Sequence, residues 1–331
     1  MKRLAWAIGG TPAVFAIGFL GITAIVSLAQ AQPYPTKPVR IFTQFAAGAS
    51  GDTTVRIMSA PFSEIIGQPV IIENRAGAGG VLAAEAVARA APDGYTLLAG
   101  SSSTQIIRIF LSKSIPFDPV RDFTPITQIT ESVPTIVLNP RLPVNSLGEL
   151  IDYARRNPGK IAFGTSGIGS DHHLSGEEIK QLMKLDMLHV PYKAGAQALV
   201  DVISGQLPMA FVIHTQALPH IRSGKARALA VVKEKRFALL PEVPTVTEVI
   251  PAFEVPPSWT GLLGPAGLPS ALLSRIAADA IRAMNLPETR ARYAEGGQEV
   301  IASTPEEFTA KIRRNLELVG RIVKAAGIQA E

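Results

Sequence analysis

The chain has 331 residues, of which 47% are hydrophobic and 18% charged, a balance that builds a sizeable core and excludes a disordered polyelectrolyte. It has no cysteine, which excludes disulfides, thiolate nucleophiles and cysteine metal sites. The formal charge of +5 is small for this length, and no basic run with interleaved aromatics supports nucleic-acid binding.

The first segment reads as a secretory signal peptide over residues 1–31. Lys2 and Arg3 form a positive start, Leu4–Val26 is apolar, and Ala29-Gln30-Ala31 supplies a small-residue exit, placing cleavage near Ala31. The competing reading is a retained anchor, since the run approaches the ~20 residues that span a bilayer. Gly9, Gly10, Pro12, Gly18 and Gly21 interrupt it. Without cysteine there is no lipidation site there, so the expected mature chain is a soluble periplasmic protein. Cleavage removes Lys2 and Arg3 but no acid, leaving +3.

"VRIFTQF" (39–45) then predicts a strand, "AAGASGD" a loop, and "TTVRIMSAPFSEIIG" a helix. "PVIIENR" (69–75) predicts a second strand, "AGAGG" introduces the helix "VLAAEAVARA", and "YTLLAGS" (95–101) predicts a third strand. This alternation argues for an α/β fold with a parallel, helix-covered sheet. After Ser132 it restarts: "TIVLNP", a helix from the N-cap Ser146 with Gly159 past its end, "KIAFGTS", "LSGEEIKQLMK", "MLHVPY", "AQALVDVISG", "PMAFVI" and "ARALAVV". From 256 the chain is largely helical after the poor strand "WTGLLGP". The expected organisation is a first domain over 32–132 completed by 256–331, and a second over 133–255. Two crossings make a hinge, with the binding cleft between.

The loop "FGTSGIGSDHH" (163–173) carries the functional question. A nucleophile elbow needs G-x-S-x-G, and Gly164-Thr165-Ser166-Gly167-Ile168 has its second glycine one position early. A dinucleotide fingerprint fails at His172, and no Walker loop is present. His172 and His173 are adjacent on a helix and do not share a face, so no metal or other cofactor is expected. An anion cradle fits best: small residues let backbone N–H groups converge, hydroxyls add donors, and a helix N-terminus adds partial positive charge. "AAGASGD" and "GSSSTQ" (100–105) share this build, each at a strand's carboxyl end.

These segments, with "PVIIENRAGAGG", "APDGYTLL", "SLGELIDYARRNPGKIAFGTSGIGSDHHL", "HVPYKAGAQALVDVISGQ" and "LPEVPTVTE", resemble the substrate-binding proteins of tripartite tricarboxylate transporters, the Bug family. The resemblance covers nearly all of the chain beyond the leader. It implies an α/β, two-domain (type II) periplasmic binding protein, a Venus flytrap with a parallel-rich sheet in each domain. It implies no catalytic activity, a small carboxylate as ligand, membrane permease subunits as partners, and a monomer. Carried over, the first-domain site is Gly48, Ala49, Ser50, Asp52, Ser102 and Thr104. Asp52 is expected to cap its helix and order the loop rather than touch the ligand, because a carboxylate repels an anion. The second-domain site is Thr165, Ser166, Gly169, Ser170 and His173, with Lys193 to Ala196 as another edge. His173 either adds charge when protonated or fixes the loop. Pro208 and Val212 replace acids that the family often carries, which implies a plain carboxylate rather than an amino acid. Two other readings stay open: a sensory receptor docking on a signalling protein, and a secreted hydrolase using Ser166.

Overall fold

The computed structural model describes residues 34–328, so the expected signal peptide and its cleavage position lie outside the described residues. From Val39 the chain alternates strand and helix: β1 (Val39–Thr43), α1 (Ser50–Ile66), β2 (Val70–Asn74), α2 (Val81–Ala88) and β3 (Thr96–Ser101). A π-helical turn over Ser103–Ile107 runs into α3 (Arg108–Leu111), followed by β4 (Phe123–Glu131) and β5 (Pro134–Leu138). Next come α4 (Leu147–Arg156), β6 (Ile161–Thr165), α5 (Asp171–Met183), β7 (Met187–Pro191) and α6 (Gly195–Ser204). β8 (Met209–Ile213), α7 (His214–Arg222), β9 (Arg227–Val231) and α8 (Val246–Val249) lead to β10 (Trp259–Pro265). α9 (Ser270–Asn285), α10 (Pro287–Glu295), β11 (Glu299–Val300) and α11 (Pro305–Ala326) complete it.

Local chemistry sets several of these boundaries. Ser146 accepts the Glu149 N–H and starts α4. Thr304 and Glu307 form a reciprocal capping box at α11, with Pro305 in its first turn. α1 stops at Gly67, whose φ of 68° lies in the left-handed region open to glycine.

The strands make two sheets, ordered β11-β4-β10-β3-β1-β2 and β7-β6-β8-β5-β9. Both are mixed: β1 pairs parallel with β2 and β3, and β6 with β7 and β8, whereas β10, β11 and β5 run antiparallel to their neighbours. Helical crossovers join the parallel neighbours. The strands that enter a sheet where the chain changes sheets, β5 and β10, run against the parallel strands, while those that leave, β4 and β9, run with them. The two crossing segments lie side by side, since the Ser132 N–H donates to the Ser258 carbonyl at 2.8 Å. Trp259 opens β10 opposite Glu131 of β4, and Thr260 pairs with Ser101 of β3, so the sequence-distant β10 begins where β3 and β4 end.

Trp259 is held rigidly. Its indole packs edge-on against Phe308 at 5.0 Å, and Nε1 donates to Asn315 Oδ1 at 3.0 Å. Gly261 makes room for Phe308, whose ring would collide with any Cβ there. In the second sheet Phe163 packs edge-on to Phe211 at 5.8 Å, over Gly176 of α5. The described residues from Pro35 onward form one compact unit. Among the described residues no helix is long and apolar enough to cross a membrane.

Candidate functional site

A cleft of about 670 Å³ opens between the two sheets. Gln44 and Phe45 after β1, Ala49–Gly51 at the start of α1, Ser101 at the end of β3 with Ser102 and Ser103 after it, and Trp259 line one wall. Ser166 after β6, Asp171 and His172 at the start of α5, Lys193–Gly195 before and at the start of α6, and Gln216 of α7 line the other.

On the first wall the loop is built around an ionised carboxylate. Asp52, only 1% exposed, accepts from the Gly48 N–H at 2.9 Å, Arg56 Nε at 2.8 Å and Asn74 Nδ2 at 2.7 Å. Burial pushes this carboxyl up, but the hydrogen bonds from Arg56, Gly48 and Asn74 outweigh it and hold it below its usual 3.8. With the loop so anchored, the N–H groups of Ser50, Gly51 and Asp52 in the first turn of α1 have no acceptor among the described residues, and Ala49 provides no side-chain cap. Gly51 lets the Phe45 ring lie over this turn; any Cβ there would strike it. The Ser102 hydroxyl donates to the Pro257 carbonyl at 3.0 Å, tying the end of β3 to the second crossing.

The second wall is anchored by neutral groups. Ser170 caps α5, accepting the His173 N–H at 3.1 Å while its hydroxyl donates to the Gly167 carbonyl at 2.8 Å. Thr165 Oγ1 lies 2.7 Å from His189 Nε2 and accepts the Gly167 N–H. His173 Nδ1 accepts the Gly169 N–H at 3.2 Å, and its ring stacks on His189 at 4.0 Å. Burial, helped by Lys180 and opposed by Glu177, lowers His173 below its usual 6.5. Burial, with His173 and Lys180, pushes His189 down to about 3. Both rings are therefore neutral at physiological pH. The N–H groups of Asp171 and His172 at α5, and of Gly195 and Ala196 at α6, have no acceptor among the described residues.

The residues singled out in the sequence thus fall into two layers. Ala49, Ser50, Ser102 and Ser166 reach the cleft. Gly169 and Ser170 reach an adjoining annex of about 340 Å³, which Ser166 also lines. Gly48, Asp52, Thr104, Thr165 and His173 stand behind, as the scaffold of the loops; Thr104 Oγ1 donates to the Gly79 carbonyl at 2.8 Å. Lys193, Ala194 and Gly195 line the cleft, while Val212 is fully buried beneath Gly195. Sequence reasoning missed Gln44, Phe45, Trp259, Gln216 and His172 as cleft residues. For Trp259 the signal was present but needed the pairing of β10 with β3.

The cleft carries polar atoms with nothing to bond. Gln44 Oε1, His172 Nε2 and Gln216 Oε1 are buried without a partner. Buried polar groups are ordinarily satisfied, so these atoms leave hydrogen-bonding capacity open on both walls. Ser166 Oγ lies 3.0 Å from His172 Nδ1, a nucleophile–base distance. No carboxylate orients His172 from behind, since its Nε2 is unpartnered, so a triad is not assembled. Among the described residues no group of three or more His, Asp and Glu side chains could hold a metal ion.

Residues 54–328 match the family described as tripartite tricarboxylate transporter family receptor. The chain is 33% identical to Protein BugT of Bordetella pertussis, over 93% of this chain and 95% of that protein. Among solved structures it superposes on the periplasmic binding protein BugD with a TM-score of 0.73 at 30% identity, covering 90% of this chain and all of that one. It superposes on R. palustris Rpa4515 with adipate with a TM-score of 0.77 at 29% identity, again covering 90% of this chain and all of the other. An α/β fold of two mixed sheets is what the solved structures share with it, and the chain belongs to the tripartite tricarboxylate transporter receptor family.

Proposed function

We propose that this protein is a periplasmic solute receptor without catalytic activity, which captures a small carboxylate in the cleft and hands it to the permease subunits of a tripartite tricarboxylate-type transporter. Residues 1–31 serve as its export signal, and the segments 32–132 with 256–331, and 133–255, are the two domains that close on the ligand. The observation carrying this reading is the convergence of three helix starts, α1, α5 and α6, with unbonded N–H groups, beside the partnerless His172 Nε2, a further nitrogen able to donate. Helix N-termini hold partial positive charge, so a carboxylate is matched by neutral donors, while Lys193 and Asp171 place opposite charges on one wall. Gly48, Asp52, Thr104, Thr165 and His173 shape the loops, while Ala49, Ser50, Ser102, Ser166, Gly169 and Ser170 meet the ligand or the space beside it. The family membership and the adipate bound to Rpa4515 support a carboxylate ligand.

A thermal-shift screen of refolded protein against mono-, di- and tricarboxylates, aromatic acids and amino acids tests this. A ligand at a hundredfold excess over Kd stabilises by roughly 2.7 kcal/mol. Shifts confined to carboxylates are expected; shifts by amino acids alone, or by no carboxylate, overturn the reading.

A further inference from the structure

Behind the two crossing segments lies a second polar pocket, of about 310 Å³. Ser132 and Ser258 line both this pocket and the cleft, so the crossings themselves form the partition between the two spaces. The end of the first sheet shows the same division. Thr130 and Gln298 line the cleft, whereas the residues after them, Glu131 and Glu299, pair across β4 and β11 and line the pocket. Successive residues of an extended chain point to opposite faces, so the pocket sits on the reverse of the crossings from the cleft.

Its walls come from both halves of the molecule. Lys311, Arg314 and Asn315 belong to α11, and Lys233 to Lys235 follow β9. Two of the cations are committed: Lys311 pairs with Glu131 at 2.5 Å, and Lys233 pairs with Glu299. Arg314 and Lys235 have no acid within ion-pair distance among the described residues. Asn315 Oδ1 accepts from the indole of Trp259, itself a cleft residue, and Asn315 Nδ2 has no acceptor among the described residues. The pocket therefore offers an unpaired guanidinium, an unpaired ammonium and a free amide against one uncommitted acid, Glu234.

Unpaired cations that face one space from two separate segments describe a bridging anion site. We propose that the pocket behind the crossings binds a small divalent oxyanion between Arg314 and Lys235, and that this anion opposes closure of the cleft. Sulfate and phosphate share the required chemistry: a guanidinium fork takes two oxygens at once, and an ammonium and an amide take others. The coupling follows from placement. A rotation about the crossings that narrows the cleft spreads the face behind them, and with it α11 from the segment after β9. An anion held by both favours the open form. Linkage then requires that ligand and anion weaken each other by the same factor. The coupling rests on the two-domain, carboxylate-binding reading above; the site itself does not.

Titration calorimetry of the refolded protein with sodium sulfate, at ionic strength held constant with sodium chloride, tests the site. Saturable binding is expected in the native protein. Arg314→Gln and Lys235→Gln each weaken it by roughly tenfold, and Glu234→Gln tightens it. Melting of the unliganded variants shows that they are folded. No saturable binding, or undiminished binding in both R314Q and K235Q, overturns the site. Parallel titration with phosphate at about pH 8, where it is divalent too, identifies which of the two oxyanions the pocket prefers. Adipate is then titrated with and without saturating sulfate, again at one ionic strength. A fall in adipate affinity of roughly fivefold or more is expected in the native protein, and none in the R314Q/K235Q double variant. An unchanged or higher adipate affinity overturns the coupling. A fall that persists in the double variant shows direct competition in the cleft and overturns it as well. If no carboxylate binds, the carboxylate reading fails, while the sulfate titrations still decide the site.

Discussion

The two loops that face each other across the cleft look alike in sequence, small residues ending in a helix start, yet they are held by opposite means. The first is wound round a buried, ionised Asp52 that takes hydrogen bonds from a backbone N–H, an arginine and an asparagine. The second is held by a serine cap, a threonine and two stacked, neutral imidazoles. In both, the most conspicuous polar side chains are consumed by the loop itself, and what remains for a ligand is backbone N–H and a few hydroxyls. A cradle of neutral donors requires this division, because those donors point usefully only if something behind them fixes the turn.

The largest break in this contrast comes from Asp52. Asp52→Ala strands Arg56, Asn74 and the Gly48 N–H, and is expected to lower stability by roughly 3 kcal/mol in urea unfolding and to abolish binding. Asp52→Asn retains the shape and costs less. A D52A protein that binds normally contradicts the scaffold role.

Acidification separates the two loops. The folded-state pKa values of His173 and His189 lie below the unfolded 6.5, so their contribution is complete above that pH and fades as pH falls toward about 3. Asp52, depressed from 3.8, keeps its contribution down to that value and loses it only below. The second loop therefore weakens first. Acidification from pH 7 to pH 4 should cost the native protein on the order of 2 kcal/mol more stability than it costs His189→Phe. An equal cost in H189F shows that the stacked pair is not its source.

Within the second loop, Ser170 and Ser166 divide the work. Ser170→Ala removes the α5 cap and costs about 1 kcal/mol of stability. Ser166→Ala weakens ligand affinity, by roughly fivefold, with little loss of stability. Reversed effects would exchange their roles. The smallest effect belongs to Ser50→Ala, whose backbone N–H, the group offered to the ligand, survives the substitution; a loss beyond about twofold would show that its hydroxyl binds too.

Local pattern carried most of the fold. Alternating apolar runs, the Ser146 cap and glycine stops located the first three strands and the larger helices, and the loops at strand ends were legible as ligand-facing. Asp52 was readable as a loop organiser because a buried anion cannot greet an anion. The strand β4 and the two-residue β11 were not anticipated, and neither was the central place of β10. That strand's neighbours are about 130 and 160 residues away in sequence, so nothing local announces them. The π-helical turn over Ser103–Ile107, with Thr104 to Ile107 buried, is set by packing, not propensity. The replacement of an acid at Val212 invited a conclusion about the ligand, but that side chain is buried beneath Gly195 and the cleft surface belongs to its neighbours, Ile213 among them.

The central claim is that unbonded N–H groups of three helix starts hold a carboxylate between the two walls. Calorimetric titration with adipate and with adipamide tests it directly, since the two differ in charge and share length and shape. Saturable binding of adipate with no detectable binding of adipamide is the predicted result. Equal binding of the two, or none of adipate or any other carboxylate, would contradict it.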